Sequence, residues 1–91
     1  MGDHIHESRI ERAATDYAET RGWWEIKIKM ASKNGVPDRL FLRDGRYVWI
    51  EFKRPGEVPR PQQVKRIADM RAHGAEVFVC DNLDDAKRIL L

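Results

Sequence analysis

The sequence predicts one α/β domain, spanning residues 1–91, with the element order αβββαβα. Hydrophobic residues make up 42% of the chain, which is enough for a domain of this size to close one core. Apolar residues recur at helical spacing in two segments and alternate with polar residues in a third. The dipeptide Asp44-Gly45 lies between two apolar runs, which is the strongest short-range signal for a β-hairpin.

The first helix is predicted from about Ile5 to Arg21, with Gly22 placed to end it. A period of two from Trp23 to Met30 then predicts a strand, which the polar stretch 32–35 terminates. The apolar positions of the first helix are Ile10, Ala14, Tyr17 and Ala18.

The hairpin strands are predicted at Asp38–Arg43 and Arg46–Lys53. Both faces of this hairpin are apolar, so we expect a sheet covered on two sides. The stretch 54–60 is predicted to be a loop.

A second long helix is predicted to begin at Pro61 and end at Gly74. A fourth strand is predicted at Glu76–Cys80. Asn82, with Asp85 three residues later, indicates the cap of a last helix over 83–91. The apolar stripe of the second helix is predicted to be Val64, Ile67 and Ala68.

Composition narrows the functional class only slightly. The net charge of +2 and the pI of about 8.9 permit nucleic-acid binding without requiring it. The single cysteine, Cys80, excludes an internal disulfide and indicates a reducing compartment. The sequence has no apolar stretch near the roughly 20 residues that a membrane span needs, and no signal peptide. We therefore expect a soluble intracellular protein.

The hairpin register places two acids together. If Asp44-Gly45 forms the two-residue turn, Asp38 lies directly opposite Glu51, and Lys53 projects from the same face as Glu51. Two opposed carboxylates repel each other unless a cation lies between them. The pattern therefore predicts a divalent-metal site at this end of the hairpin.

The ligand types indicate which metal. Carboxylate oxygens favour Mg²⁺, with Mn²⁺ as a substitute, and the absence of histidine and cysteine from the cluster argues against zinc. Such an ion can polarise a phosphodiester, and Lys53 could position a water or stabilise charge on the phosphate. The constellation predicts metal-assisted hydrolysis.

The spacing of these residues resembles a known signature. Val36-Pro37-Asp38 followed by Glu51-Phe52-Lys53 is similar to the Pro-Asp…Glu-x-Lys motif of the PD-(D/E)XK nucleases. Further matches narrow the resemblance to the virus-type replication-repair nuclease (VRR-NUC) family. They are Glu7 three residues before Ile10, Gly35 before Val36, Trp49-Ile50 before Glu51, and Pro61-Gln62-Gln63 at the start of the second helix.

The resemblance implies a restriction-endonuclease-like core, with a mixed central sheet flanked by helices. It implies that Asp38, Glu51 and the backbone carbonyl of Phe52 bind Mg²⁺ and that Lys53 is the catalytic lysine. It further implies that Glu7 touches the metal directly or through water, and that Gln63 orients the site. Independently, Glu7 lies about 50° from the centre of the apolar stripe of the first helix, while Glu11 lies farther round and is expected to be solvated.

The resemblance to small phage members also implies a substrate and an assembly. We expect a metal-dependent, homodimeric endodeoxyribonuclease that resolves four-way (Holliday) junctions in DNA repair, in the cytoplasm of a bacterium or a phage-infected cell. The alternatives within the class are a nickase, a flap nuclease and a restriction-like nuclease. The alternative from another class is a non-catalytic DNA-binding module on the same fold.

Each site residue also has a purely structural interpretation. Asp38 could be a turn aspartate, Glu51 and Lys53 an exposed edge-strand pair, and Gln63 and Glu7 ordinary helix-start residues.

The remaining polar and aromatic residues have less specific interpretations. His4, His6 and His73 are expected at the surface. The three tryptophans are interpreted as core residues rather than base-stacking platforms, except that either Trp23 or Trp24 could be exposed at a dimer contact. The candidate DNA-phosphate contacts are Lys27, Lys29, Lys33, Arg54 and Arg60.

Overall fold

The structure is a computed structural model that describes residues 6–29 and 31–91, so Ile5, Met30 and His4 lie outside the described residues. Its order of elements is the predicted αβββαβα. The helices are α1 (Glu7–Thr20), α2 (Pro61–Ala72) and α3 (Leu83–Ile89). The strands are β1 (Trp24–Lys27), β2 (Arg39–Arg43), β3 (Arg46–Phe52) and β4 (Glu76–Cys80). No helix in this described part of the chain is both long enough and apolar enough to cross a membrane.

The four strands form one mixed sheet in the order β1-β2-β3-β4. The first two pairings are antiparallel and β3 pairs with β4 in parallel. Asp44 (φ 51) and Gly45 (φ 80) both have positive φ, as a two-residue type I′ turn requires. Arg43 consequently pairs with Arg46, so the predicted hairpin register is confirmed.

One face of the sheet holds the main core. α1 and α3 pack on this face, and Asn82 caps α3 as predicted, its side chain accepting a hydrogen bond from the Asp85 amide. The indole nitrogen of Trp23 donates to the carbonyl of Leu90 at 2.9 Å. This hydrogen bond fixes the end of α3 against the short connection between α1 and β1. The largest fully buried side chains of this core are Phe41, Phe52, Ile50, Leu90, Val48 and Cys80.

α2 covers the opposite face, mainly over the edge strand β4. Of its predicted apolar stripe only Ile67 is buried, whereas Val64 is 54% exposed and Ala68 is also exposed. The prediction was wrong at these two positions because a short helix lying over an edge strand buries a narrow line of side chains. Leu40 and Val77 complete the small apolar layer under α2.

The face of the sheet that α2 covers is exposed to solvent near β1. β1 is shorter than the predicted strand, and Trp23 just before it is buried while Trp24 is 60% exposed. Trp24 pairs with Leu42, which pairs with Tyr47, so the three side chains form a row across the sheet. Tyr47 is also 60% exposed, so the expectation of a sheet covered on both sides was wrong here.

Candidate active site

The predicted acids meet at one end of the β2–β3 hairpin. Asp38 immediately precedes Arg39, which pairs with Ile50, so the register continues to Asp38 beside Glu51. The Asp38 carbonyl accepts a hydrogen bond from the Ile28 amide at 2.8 Å, which fixes the chain at this point. Asp38 and Glu51 border a pocket of about 640 Å³.

Glu51 and Lys53 are the two most buried charged groups of the pocket. Glu51 is 7% exposed and Lys53 is 4% exposed, so the edge-strand alternative does not hold for either. The Lys53 amide continues the parallel pairing beyond β3 by donating to the Cys80 carbonyl at 2.8 Å. The Lys53 ammonium lies 3.6 Å from the Glu51 carboxylate.

Gln63 joins α2 to the Glu51 carboxylate. Its side-chain nitrogen donates to Glu51 at 3.0 Å, and its side-chain oxygen accepts from the Arg60 amide at 3.0 Å. Because the Arg60 amide can only donate, the Gln63 nitrogen must point toward the carboxylate. Gln63 therefore caps the start of α2 and holds Glu51 in place with the same amide group.

The electrostatics of Glu51 are unfavourable to its charged form. Burial and the neighbouring Asp38 carboxylate raise the pKa of Glu51, and the Glu7 carboxylate adds to this. The Lys53 ammonium and the Gln63 hydrogen bond oppose the rise without cancelling it. A further cation beside Glu51 would stabilise its carboxylate.

The donor set of the pocket fits a hard divalent cation. Its charged lining consists of four carboxylates, those of Glu7, Asp38, Glu51 and Glu57, against the cations of Lys53 and Arg60. Within residues 6–29 and 31–91, no three His, Cys, Asp or Glu side chains converge as a preassembled metal cage. Mg²⁺ is commonly bound by one or two carboxylates while keeping several waters, and Asp38 with Glu51 provides such a pair.

The loop before Asp38 is fitted tightly to the start of α2. Gly35 has φ +83, and a Cβ built there would lie 2.6 Å from the carbonyl oxygen of Gln62. Arg66 also donates to the Asn34 carbonyl at 2.9 Å. This contact fixes the loop that carries Asp38 relative to the helix that carries Gln63.

The other predicted site residues lie at varied distances from this centre. Glu7 is half-buried and lines the pocket, whereas the side chain of Phe52 is buried in the core and its carbonyl remains a predicted ligand. Lys29 and Lys33 border an adjoining groove of about 580 Å³ that also reaches Asp38.

The remaining cations and histidines are exposed. Arg60 lines the main pocket, and the exposed Arg54 lies 3.8 Å from the Glu57 carboxylate. His6 and His73 are exposed, as predicted.

Sequence reasoning missed two kinds of residue. Glu57 and Asn34 line the pocket, but loop residues carry no periodic signal that would indicate it. Glu11 was expected to be solvated, and this was wrong: it is 7% exposed and accepts a hydrogen bond from Arg39 at 2.6 Å. An arginine on a neighbouring strand supplies a partner that a helical wheel does not include.

Comparisons with known proteins agree with this geometry. No family model matches the chain. A phage protein named “Putative nuclease p44”, from Acyrthosiphon pisum secondary endosymbiont phage 1, is 36% identical over 81 residues, covering 88% of this chain and 87% of the relative. A solved structure described as a VRR_NUC domain superposes with a TM-score of 0.83 at 27% identity, covering 92% of each chain.

The likeness to both extends over most of the chain and includes the pocket-forming hairpin and α2. The chain belongs to the VRR-NUC family of PD-(D/E)XK nucleases, and it is a nuclease.

Proposed function

We propose that this nuclease is a Mg²⁺-dependent DNA endonuclease whose active site is the pocket of Asp38, Glu51 and Lys53. The observation that carries the proposal is the environment of Glu51. A carboxylate that is 7% exposed lies beside a second acid and a nearly buried lysine, and its pKa is raised. Buried charge in a cleft with too few cations is typical of a site built for a metal and a phosphate.

The residues of the pocket would have separate roles. Asp38, Glu51 and the Phe52 carbonyl would hold the ion, with Glu7 adding a ligand directly or through water. When bound, the ion would polarise the scissile phosphodiester and offset charge developing on it. Gln63 keeps the Glu51 carboxylate aimed into the pocket through its 3.0 Å hydrogen bond.

The position of the Lys53 ammonium suits a role in the chemical step. Its buried ammonium is anchored by Glu51, so it can orient an attacking water or stabilise the phosphate without reorganising. Around the pocket, Arg54 and Arg60 on one side and Lys29 and Lys33 on the other would contact DNA phosphates.

A plasmid-nicking assay with purified protein tests the chemistry. Cleavage should require added Mg²⁺ and stop in EDTA. Asp38→Asn should abolish it, and Lys53→Ala should lower the rate by about a thousandfold while leaving DNA binding intact. Cleavage at the wild-type rate in EDTA would contradict the proposal. A Lys53→Ala protein that cuts bound DNA normally in single-turnover experiments would reduce Lys53 to a phosphate contact.

We further propose that the active form is a homodimer that resolves four-way DNA junctions. One domain carries one site, and resolving a junction requires two symmetry-related cuts, which a twofold dimer supplies. The row formed by the exposed Trp24 and Tyr47 with the half-buried Leu42 between them is a surface suited to contact with a second copy. The family resemblance supports the same substrate class.

Light scattering and a junction-cleavage gel test this assembly. The wild-type protein should have the mass of two chains and make paired incisions, and Trp24→Lys should be a folded monomer with impaired paired cutting. Mixed dimers of wild-type and Asp38→Asn chains should nick one strand only. A wild-type monomer that prefers flaps or plain duplex over junctions would overturn this assignment and leave the metal chemistry standing.

A further inference from the structure

A second charged cluster lies under α1, on the opposite face of the sheet from α2. The Glu11 carboxylate accepts a hydrogen bond from Arg39 at 2.6 Å and lies 3.3 Å from the Lys27 ammonium. Arg39 also contacts the Glu25 carboxylate. Two acids face two cations here, so the cluster is balanced, unlike the candidate active site.

Lys27 connects this cluster to the active site. The same ammonium that pairs with Glu11 lies 3.9 Å from a carboxylate oxygen of Asp38. The side chains of Lys27 and Asp38 are each 43% exposed, so solvent weakens their direct attraction. The Glu11 side chain is only 9% exposed and therefore provides the firmer anchor for the lysine.

We infer that Lys27, anchored by Glu11, is a positioning residue that acts as the built-in counter-cation of Asp38. In the metal-free protein it partly neutralises Asp38, which otherwise faces the other acids of the pocket. A divalent ion bound to Asp38 would be repelled by this ammonium, so Lys27 lowers the metal affinity of the site. This inference rests on the proposed metal-dependent function.

The same contacts distinguish Lys27 from Lys29 and Lys33, with which it was grouped as a phosphate contact. A lysine that already has carboxylate partners on two sides would have to give them up to bind a phosphate. We therefore expect Lys27 to affect metal affinity more than DNA affinity.

Isothermal titration calorimetry with Mn²⁺ alone, in the absence of DNA and at low ionic strength, tests the inference. Lys27→Met should bind Mn²⁺ about five- to tenfold more tightly than the wild-type protein, and added salt should reduce the difference. Lys27→Arg, which keeps the charge, should bind as the wild type does. Lys65→Met is the control for loss of one positive charge on α2. If Lys27→Met unfolds, Lys27→Gln, which removes the charge but keeps a polar end group, serves in its place.

The outcomes separate this inference from the proposed function. Unchanged or weaker Mn²⁺ binding by the variants that remove the charge, Lys27→Met or Lys27→Gln, overturns the inference, as does a loss of DNA affinity at unchanged metal affinity. Asp38→Asn should abolish Mn²⁺ binding in the same titration. If it does so while Lys27→Met binds normally, only the role of Lys27 fails. If Asp38→Asn binds Mn²⁺ normally, the proposed metal site itself fails.

Discussion

Glu11 and Glu51 are each 7% exposed, yet they lie in opposite charge environments. Glu11 is paired with Arg39 at 2.6 Å and with Lys27 at 3.3 Å. Among the described residues, Glu51 forms one ion pair, with Lys53 at 3.6 Å, and the charge of the Asp38 carboxylate acts against it. Equal burial therefore does not imply an equal role.

The two glutamates differ in how far cations of the protein neutralise their charge. In the Glu11 cluster each carboxylate is matched by a cation within the fold. At Glu51, burial and the neighbouring Asp38 carboxylate together raise the pKa of the Glu51 carboxylate. A buried acid that its own fold does not neutralise indicates a site for an external cation.

The largest effect should come from removing each carboxylate in turn without metal. Glu11→Gln should lower the free energy of unfolding by about 2–4 kcal/mol, because it leaves the half-buried Arg39 guanidinium with only one of its two carboxylate partners. Glu51→Gln should cost much less, because the gain from removing a carboxylate whose charged form is disfavoured in the folded state offsets the loss of the Lys53 partner. Urea denaturation in EDTA measures both, with Glu19→Gln on the exposed side of α1 as the control. Equal losses from the two variants would remove the distinction drawn here.

The same comparison explains what the sequence could predict. Asp44-Gly45 determines the hairpin register, and the register alone places Asp38 beside Glu51, so the acidic pair follows from local turn chemistry. Glu11 was misplaced because its burial depends on Arg39, which lies 28 residues away along the chain. Such a contact is set by how α1 lies on the sheet, and periodicity within one helix does not contain it.

Two exposed apolar residues lead to the same conclusion. Val64 was predicted in an apolar stripe and Trp24 in an alternating strand, and both are exposed. The spacing of apolar residues predicts the helix and the strand correctly, but how much of each face is covered depends on the length and position of α2. The element order and the strand pairing are therefore predictable from the sequence, while the extent of each covered face is not.

An intermediate effect is expected where the loop that carries Asp38 meets α2. Gly35→Ala should cost about 2–3 kcal/mol of stability, because it combines a left-handed φ with a backbone clash at Gln62. Gly56→Ala is the matched control, since Gly56 has φ +80 but nothing within 4 Å of its built Cβ, so about 1 kcal/mol should be lost. Thermal denaturation compares the two.

Activity adds a second readout for Gly35. At a temperature where both variants remain folded, Gly35→Ala should also cut DNA more slowly, because the clash shifts Asp38 relative to Gln63. Equal stability losses and normal cleavage would show that the close approach at Gln62 does not position the site.

The smallest effect is a pH dependence that belongs to Glu51. Because the pKa of Glu51 is raised in the folded protein, its contribution to stability is fully present below the pKa of an unfolded glutamate. That contribution is lost as the pH rises through the folded pKa. In EDTA, the free energy of unfolding of Glu51→Gln minus that of the wild type should therefore increase with pH across this window and then level off. Taking the difference cancels the titration of groups that the two proteins share.

Mn²⁺ competes with the same proton, so the affinity of the wild-type protein for Mn²⁺ should rise across the same window. Saturating Mn²⁺ should also flatten the stability difference, because the bound cation lowers the pKa of the carboxylate. A difference that is independent of pH would mean that Lys53 and Gln63 already compensate Glu51 fully, and the contrast with Glu11 would then lie in geometry rather than in charge.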